Sequence, residues 1–304
     1  MQGKKAGFCT LLGEAIGRDI LCHHCLAHKV QLILRAVNFK KGKDPACENC
    51  ILTEKYFNKV ASFYGQSDKR LADLKSFCEE HGYKVFAPKL TFPVRWVQSH
   101  YDSNFILFHH FKPLVEHLSH LQTIPLFEKD KKTIDLAEKY QLLLTHKFVL
   151  FTLVVVLDLM DVFKGASKVF QISGSSILGQ PDQKIRLLNG IRSVKNRNGS
   201  FLKALLSEAK CGDASCRTLD SFLDSDDVKW WGIPLHQKTL MEVIEGTYVT
   251  FDSPTVFFEK YLDALEDELE NYMPDSVLME TMSNLDQRRY AMHLTGNWEL
   301  TDIF

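Results

Sequence analysis

The stretch FVLFTLVVVLD, residues 148–158, is the longest apolar run in the chain and the part of the sequence that most constrains the fold. Its first ten residues carry no charge, and Asp158 ends the run. A helix that crosses a bilayer needs about twenty apolar residues, so this run is too short to span one. It lies within a nearly unbroken helical pattern from Lys131 to about Phe170. We therefore predict a helix buried in a protein core.

Composition describes an ordinary globular chain with enough apolar residues for one large core or two modest ones. Of 304 residues, 45% are hydrophobic and 25% are charged, and the formal net charge is −1. Such a balance gives no global basic field, so any binding of nucleic acid must use local patches. The eight cysteines are too sparse for a disulfide scaffold. Together with the lack of a signal-peptide pattern at the start, they favour an intracellular reducing compartment, nuclear or cytoplasmic.

Apolar spacing predicts helices along most of the chain. The predicted elements are a first helix over Phe8–Ile16, a strand at Ile20–Cys22 that turns into a helix from Ala27 to Val37, and helices near 52–63, 71–78, 105–121, 184–195, 200–210 and 253–272. We expect Pro113 to kink the fifth of these helices. The segment 83–96 contains two prolines, which exclude a helix through it and predict an extended passage or an edge strand. The fold class is therefore α/β but mostly helical, with the strands in a small opening segment.

Cysteine and histidine spacing provides one candidate metal site. Cys25 and His28 are separated by two residues, as are Cys47 and Cys50, and this spacing is typical of small zinc sites. The alternative is that Cys25 and His28 only form a corner of the fold, because His28 opens an amphipathic helix. Catalysis by Cys25 with His24 or His28 is a third, weaker hypothesis, since no residue to orient the histidine is evident.

Other motifs mostly disfavour an enzyme. Cys211 and Cys216 lie in a loop-like stretch without histidines, and we predict that both are free thiols. The chain has no P-loop, no glycine-rich dinucleotide turn and no Gly-x-Ser-x-Gly elbow. We expect no cofactor and no bound metal.

The remaining candidate is the stretch FPVRWVQSHYD, residues 92–102. Arg95 and Trp96 offer a cation and a large aromatic face, with Lys89, His100 and Tyr101 nearby. These are the groups with which proteins hold a phosphate and stack an unpaired base. A purely structural role, in which Arg95 covers a buried Trp96, is the alternative.

The order of these motifs resembles that of hAT-superfamily transposases and host proteins derived from them. The resemblance rests on the Gly-x-x-x-Gly spacing of Gly3 and Gly7, the Cys-x-x-His element of Cys25 and His28, the pair Arg95 and Trp96, and the Pro-Asp-x-x-Leu pattern within 272–286. It implies a partial RNase H-like α/β segment over residues 1–125 and an all-helical insertion region over residues 126–304. It also implies that Cys25 and His28 belong to the fold rather than to a zinc site.

The same resemblance implies a loss of catalysis. Members of that family cut DNA with two aspartates and a late glutamate that hold divalent metal, and none of these matches a residue in this chain. Asp19 lies on the wrong side of the predicted strand to replace one. We therefore expect a transposase-derived, catalytically incompetent protein that binds DNA through Arg95 and Trp96, or binds a protein partner. A fragment of an active transposase is the second hypothesis. A helical interaction scaffold that self-associates, with no membrane contact, is the third.

Overall fold

A computed structural model describes residues 8–17, 26–39, 48–91, 96–124, 130–171, 180–237, 240–241, 248–249 and 254–273. Within these ranges the helices are α1 (Phe8–Ile16), α2 (Leu26–Phe39), α3 (Glu48–Gly65), α4 (Asp68–Glu80), α5 (Trp96–His109), α6 (Phe111–His120), α7 (Lys131–Leu144), α8 (Lys147–Gln171), α9 (Gln180–Lys195), α10 (Ser200–Glu208), α11 (Leu219–Asp224) and α12 (Pro254–Tyr272). The strands are β1 (Ala209–Cys211), β2 (Ala214–Ser215), β3 (Val228–Trp230), β4 (Ile233–Leu235), β5 (Leu240–Met241) and β6 (Tyr248–Val249). The protein is mostly helical, with a small antiparallel sheet.

Helix α8 lies at the centre of the fold, as its apolar sequence predicts. It packs against α2, α3, α5, α9 and α10. Ten of its apolar side chains are almost completely buried: Val149, Leu150, Phe151, Leu153, Val154, Val155, Leu157, Leu159, Met160 and Phe163. Burial on nearly all sides explains why the run is apolar around the helix rather than along one stripe. No helix in the described ranges is long and apolar enough to cross a bilayer.

Two predicted helices are each divided in the structure. The expected kink at Pro113 is instead a break at His110, between α5 and α6. Pro113 then lies in the first turn of α6. Backbone N–H groups in the first turn have no hydrogen-bond partner within the helix, so proline, which lacks this group, is tolerated there. The pattern from Lys131 to Phe170 is interrupted at residues 145 and 146, between α7 and α8. There the chain pairs with His236, which donates its N–H to the Thr145 carbonyl and accepts from the Lys147 N–H.

The four-stranded sheet lies where no strand was predicted. Its order is β2-β1-β3-β4, and all its pairs are antiparallel. The prediction that residues 126–304 are all helical is therefore wrong. These strands have two or three residues, too few to produce a period of two in the sequence. The predicted strand Ile20–Cys22 lies outside the described residues. In the segment 83–96, residues 83–91 belong to no helix or strand, and Trp96 begins α5.

Cys211 and Cys216 form a disulfide across the β1–β2 hairpin, so the prediction of two free thiols is wrong. The pairing of Cys211 with Ala214 turns the chain back and places Cys216 just beyond β2. Their Cα atoms are 5.4 Å apart, within the range that a disulfide requires. The sequence gives no indication of this hairpin. Without the hairpin, a separation of five residues does not show that the two sulfur atoms lie close together.

Asp158, the residue that ends the apolar run, binds the N-terminus of α10. Its carboxylate accepts the backbone N–H groups of Phe201 at 2.8 Å and Leu202 at 3.1 Å. These N–H groups have no partner within the helix, and the helix dipole also favours an anion there. Gly199 immediately precedes α10, and a Cβ atom at Gly199 would overlap the Asp158 carboxylate.

We predict that Gly199→Ala destabilises the protein by roughly 1–3 kcal/mol, because the added methyl displaces a buried carboxylate from its hydrogen bonds. Gly165→Ala is the matched control. Gly165 lies within α8, and a Cβ there has no neighbour within 4 Å, so alanine should stabilise the helix by about 0.5–1 kcal/mol. Urea unfolding of both variants measures the difference. Equal effects of the two substitutions would contradict this account of Asp158.

A candidate ligand-binding cavity lined by aromatic and cationic side chains

The candidate site is a cavity of about 530 Å³ where the α5–α6 junction meets the β3–β4 hairpin and the segment after α4. This volume lies within the range of small-molecule and cofactor sites. The residues that line it are Tyr83, Lys84, Phe105, His109, His110, Lys112, Pro113 and Trp231. The set combines five aromatic rings with two lysines, and none of these side chains carries a carboxylate or a thiol. Such a lining offers flat aromatic faces and positive charge to a ligand.

Trp231 is brought to the cavity by a tight hairpin turn. Trp230 pairs with Ile233, which leaves Trp231 and Gly232 as the two turn residues. Both have positive φ, 49° and 82°, as in the type I′ turns that suit the twist of β-hairpins. The Trp231 ring stacks on Trp230 at 4.3 Å between centroids and 16° between planes. Because one face of the indole is covered in this way, the other is the face available to a ligand.

Trp230 in turn connects this turn to the core. Its side chain is completely buried, and its ring lies 4.5 Å from Phe111 and 5.2 Å from Phe108. Phe108 ends the buried face of α5, and Phe111 begins α6. The helix break at His110 and the hairpin turn are thus held together by one aromatic cluster, which fixes the position of Trp231 relative to both helices.

The two histidines of the cavity contribute aromatic surface rather than charge. His110 stacks on Phe86 at 4.2 Å and 8°, and His109 lies 4.1 Å from the Phe105 ring. Burial lowers the pKa of both imidazoles, and for His110 the neighbouring His109 and Lys84 lower it further. Both rings are therefore neutral near pH 7. Their flat, neutral faces are suited to stacking.

Positive charge in the cavity comes from Lys84 and Lys112. Lys84 is exposed, and the ammonium of Lys112 lies 3.9 Å from Glu116, too far for strong neutralisation. Glu116 also accepts a hydrogen bond of 2.6 Å from the Tyr83 hydroxyl. Burial and this carboxylate raise the pKa of Tyr83 to about 12. The cavity therefore presents two cations and a fixed phenol to a ligand.

The described residues do not test the prediction that Arg95 and Trp96 bind nucleic acid. Arg95 lies outside the described residues, and Trp96 begins α5 but its side chain is not described. His109 ends the same helix, about 20 Å away at 1.5 Å per residue. Tyr101 is mostly buried, with the Lys164 ammonium 3.5 Å from its ring centre. The prediction for Arg95 and Trp96 thus stays a prediction.

The candidate zinc residues cannot be placed as a group within the described structure. Cys25 and Cys47 lie outside the described residues, and His28 and Cys50 are helical but their side chains are not described. Across the described ranges, no cluster of three or more histidine, cysteine or acidic side chains is arranged to hold a metal ion.

His100, expected near a binding site, is instead buried against Glu54, with 3.2 Å between the imidazole Nε2 and a carboxylate oxygen. Burial raises the pKa of Glu54 to about 8 and lowers the pKa of His100 to about 3. Between these values the pair holds one proton and no net charge. Its position facing the core indicates a structural role.

A second buried constellation has the form of a catalytic relay. His117, completely buried, lies 3.0 Å from Asp73 through Nε2 and 2.9 Å from the Tyr64 hydroxyl through Nδ1. Desolvation lowers its pKa to about 4. Tyr64 and His117 do not line the cavity described above, and Tyr64 is itself buried. Because both ring nitrogens are already used, the network satisfies buried polar groups and joins α3, α4 and α6.

Comparisons with models of known protein families, with curated proteins and with solved structures gave no match. The residues of the cavity come from positions between 83 and 231. The one local signal of it in the sequence is the Trp-Trp-Gly stretch at 230–232, where a glycine follows two aromatic residues.

The Glu54–His100 pair predicts a distinct pH dependence of stability. Unfolding returns the pKa of Glu54 to about 4.5 and that of His100 to about 6.5. Between pH 4.5 and 6.5, each state holds one proton, so the pair contributes no slope. Below pH 4.5 the unfolded state binds more protons than the folded state, so stability falls as pH falls. Above pH 6.5 the folded state binds more protons than the unfolded state, so stability falls as pH rises.

Glu54→Gln tests this dependence, because glutamine keeps the shape but does not titrate. Between pH 6.5 and 8, the free energy of unfolding of the wild type should fall as pH rises, and that of the variant should fall less. The difference between the two should therefore shift in favour of the variant. Urea unfolding at each pH measures it. Asp135→Asn, at an exposed position on α7, is the control. A constant difference between Glu54→Gln and wild type over this range would contradict the neutral pair.

Proposed function

We propose that this protein binds single-stranded DNA through the cavity at the α5–α6 junction, without cutting it. The observation that carries the proposal is the half-buried indole of Trp231, backed by Trp230 and set on a rigid hairpin beside two lysines. A flat ring fixed in this way stacks on any base, since every base has an aromatic face. Neutral His109 and His110 extend the apolar surface on which a base would lie.

The two lysines give the second part of the proposed recognition. Lys84 and Lys112 line the same cavity as Trp231, so a nucleotide whose base stacks on the indole would bring its phosphates toward them. Two ammonium groups are a small number, and Glu116 lowers their combined effect. The expected binding is accordingly weak, tolerant of sequence and sensitive to salt. Duplex DNA, whose bases are already stacked on one another, should bind less well.

The resemblance to hAT-superfamily transposases supports DNA as the nucleic acid, because members of that family act on DNA. We propose that the chain is transposase-derived and that its partial RNase H-like segment no longer catalyses. The lining of the cavity agrees with binding alone, since among its described residues there is no carboxylate to hold the metal ions that this chemistry uses. The alternative of an active transposase fragment predicts metal-dependent cleavage of DNA, which the binding proposal does not.

We expect Trp231→Ala to weaken binding of a fluorescent oligothymidylate by about fivefold to 150-fold, because stacking of one base contributes about 1–3 kcal/mol. Trp231→Phe, which keeps a ring, should retain most of the affinity. Trp96→Ala is the comparison for the site expected from the sequence. Fluorescence anisotropy measures all three, and a loss confined to Trp96→Ala would overturn the assignment to the cavity.

The salt dependence provides a second test of the same cavity. With two phosphates neutralised, the logarithm of the binding constant should fall with the logarithm of salt concentration with a slope of about −1.4. Lys84→Gln should reduce the slope by about half, whereas Lys89→Gln, at an exposed position in the same segment outside the cavity, should not. Equal slopes for wild type and Lys84→Gln would exclude Lys84 from phosphate binding.

A protein-interaction function is the second candidate, favoured by one observation. Helix α1 leaves Leu11 and Ile16 each 53% exposed and Leu12 37% exposed. Three apolar side chains on one short helix are typical of a surface that contacts another protein. Under this hypothesis the wild type self-associates in light scattering and the double substitution Leu11→Ser, Ile16→Ser makes it monomeric. A wild-type monomer at every concentration would contradict self-association.

A further inference from the structure

A second cavity, of about 400 Å³, lies between α3, the start of α4 and the first half of α7. Three cationic side chains line it: Lys59, Arg70 and Lys132. It shares no residue with the cavity around Trp231. Its chemistry is therefore independent of the function proposed above.

Arg70 is the fixed element of this cavity. Its Nε–H donates to the Phe63 carbonyl at 2.7 Å, and a terminal nitrogen donates to the Thr133 hydroxyl at 3.0 Å. The guanidinium also lies 4.3 Å from the centre of the Phe63 ring. Two hydrogen bonds and a ring contact hold the planar group in one orientation, so little entropy is lost when it binds an anion. The other terminal nitrogen is not used by these bonds.

Asp130 is the one carboxylate among the described residues that line the cavity, and it is already engaged. It accepts the Thr133 N–H at 3.1 Å and the Thr133 hydroxyl at 2.6 Å, which caps α7. These hydrogen bonds, with smaller help from Arg70, lower the pKa of Asp130. Near pH 7 the described residues that line the cavity carry three cations and one carboxylate, which gives this part of the lining a formal charge of +2.

Neutral donors complete the lining. Ser62, Gln66 and Tyr140 also line the cavity, and each has a neutral side-chain group that can donate a hydrogen bond. An excess of two positive charges, a preorganised guanidinium and several neutral donors match an anion with two negative charges and several oxygen acceptors.

We infer that the cavity between α3 and α7 is a phosphate-binding site, with Arg70 orienting the phosphate and Lys59 and Lys132 compensating its charge. The phosphate has two sources with the same chemistry. One is a free phosphorylated small molecule or pyrophosphate, and the other is the backbone of the single strand held at Trp231. The experiment separates them.

The test is isothermal titration of the whole protein with inorganic pyrophosphate at low ionic strength, followed by oligothymidylate binding. Lys132→Glu reduces the formal charge of the cavity to zero and should weaken pyrophosphate binding about tenfold or more. Lys131→Glu is the matched control, because Lys131 is the exposed neighbour on α7 and does not line the cavity. Lys132 is itself exposed, so the variant should fold, and a circular dichroism melt checks this.

Each outcome decides the inference. Pyrophosphate binding that Lys132→Glu weakens and Lys131→Glu does not supports a site for free phosphorylated molecules. Oligothymidylate binding that shows this same difference, without pyrophosphate binding, supports a backbone phosphate. Failure of both ligands to distinguish the two variants overturns the phosphate site. Trp231→Ala should leave pyrophosphate binding unchanged, so a site for free phosphorylated molecules succeeds or fails separately from the proposed DNA site, whereas the backbone source rests on the proposed function.

Discussion

The polar contacts at the two ends of the buried run in α8 are the interactions on which the rest of the structure depends. Lys147 begins the helix and donates from its ammonium to the carbonyls of Phe222, Leu223 and Ser225, at the C-terminal end of α11. Asp158 accepts from the N-terminal N–H groups of α10. A cation therefore meets the end of a helix that carries partial negative charge, and an anion meets the end that carries partial positive charge. Burial lowers the pKa of Lys147 and raises the pKa of Asp158, and the hydrogen bonds that Asp158 accepts from α10 oppose its shift.

These two contacts also locate the sheet. Helices α10 and α11 flank β1 and β2, and β1 pairs with β3. The positions of Trp230 and Trp231 relative to α5 and α6 thus depend on α8, although neither tryptophan is part of it. The cavity around Trp231 is consequently built on a rigid core, which is the condition for stacking a base at low entropic cost.

Sequence reasoning identified the helices well because their apolar faces repeat over many residues. The predicted helices 184–195, 200–210 and 253–272 differ from α9, α10 and α12 by four residues or fewer at either end. It failed for the strands, since three residues carry no period, and for the Cys211–Cys216 disulfide, since that depends on an unpredicted hairpin. Breaks at His110 and Thr145 depend on contacts with residues that are distant in the chain.

The candidate site was harder to predict for the same reason. Arg95 and Trp96 are the predicted binding residues because a cation and an indole are adjacent in the sequence. Adjacency along the chain is the only proximity that a sequence shows directly. Lys84, Lys112 and Trp231 form an equivalent combination, but they are separated by up to 147 positions along the chain. The packing of Trp230 on Phe111 brings Trp231 to the cavity, and the stacking of Phe86 on His110 brings the segment that contains Lys84. The location of this combination therefore required the tertiary structure, and the prediction for Arg95 and Trp96 stays a prediction.

The most direct measurement of the central claim is photo-crosslinking of the protein to oligothymidylate that contains 5-iodouracil, followed by mass spectrometry of the cross-linked peptides. This base reacts with aromatic side chains on which it is stacked. Our account predicts that the cross-link maps to the peptide that contains Trp231, with Phe105 or Tyr83 as secondary sites. A cross-link that maps to Trp96, or one distributed over the surface without preference, would contradict it.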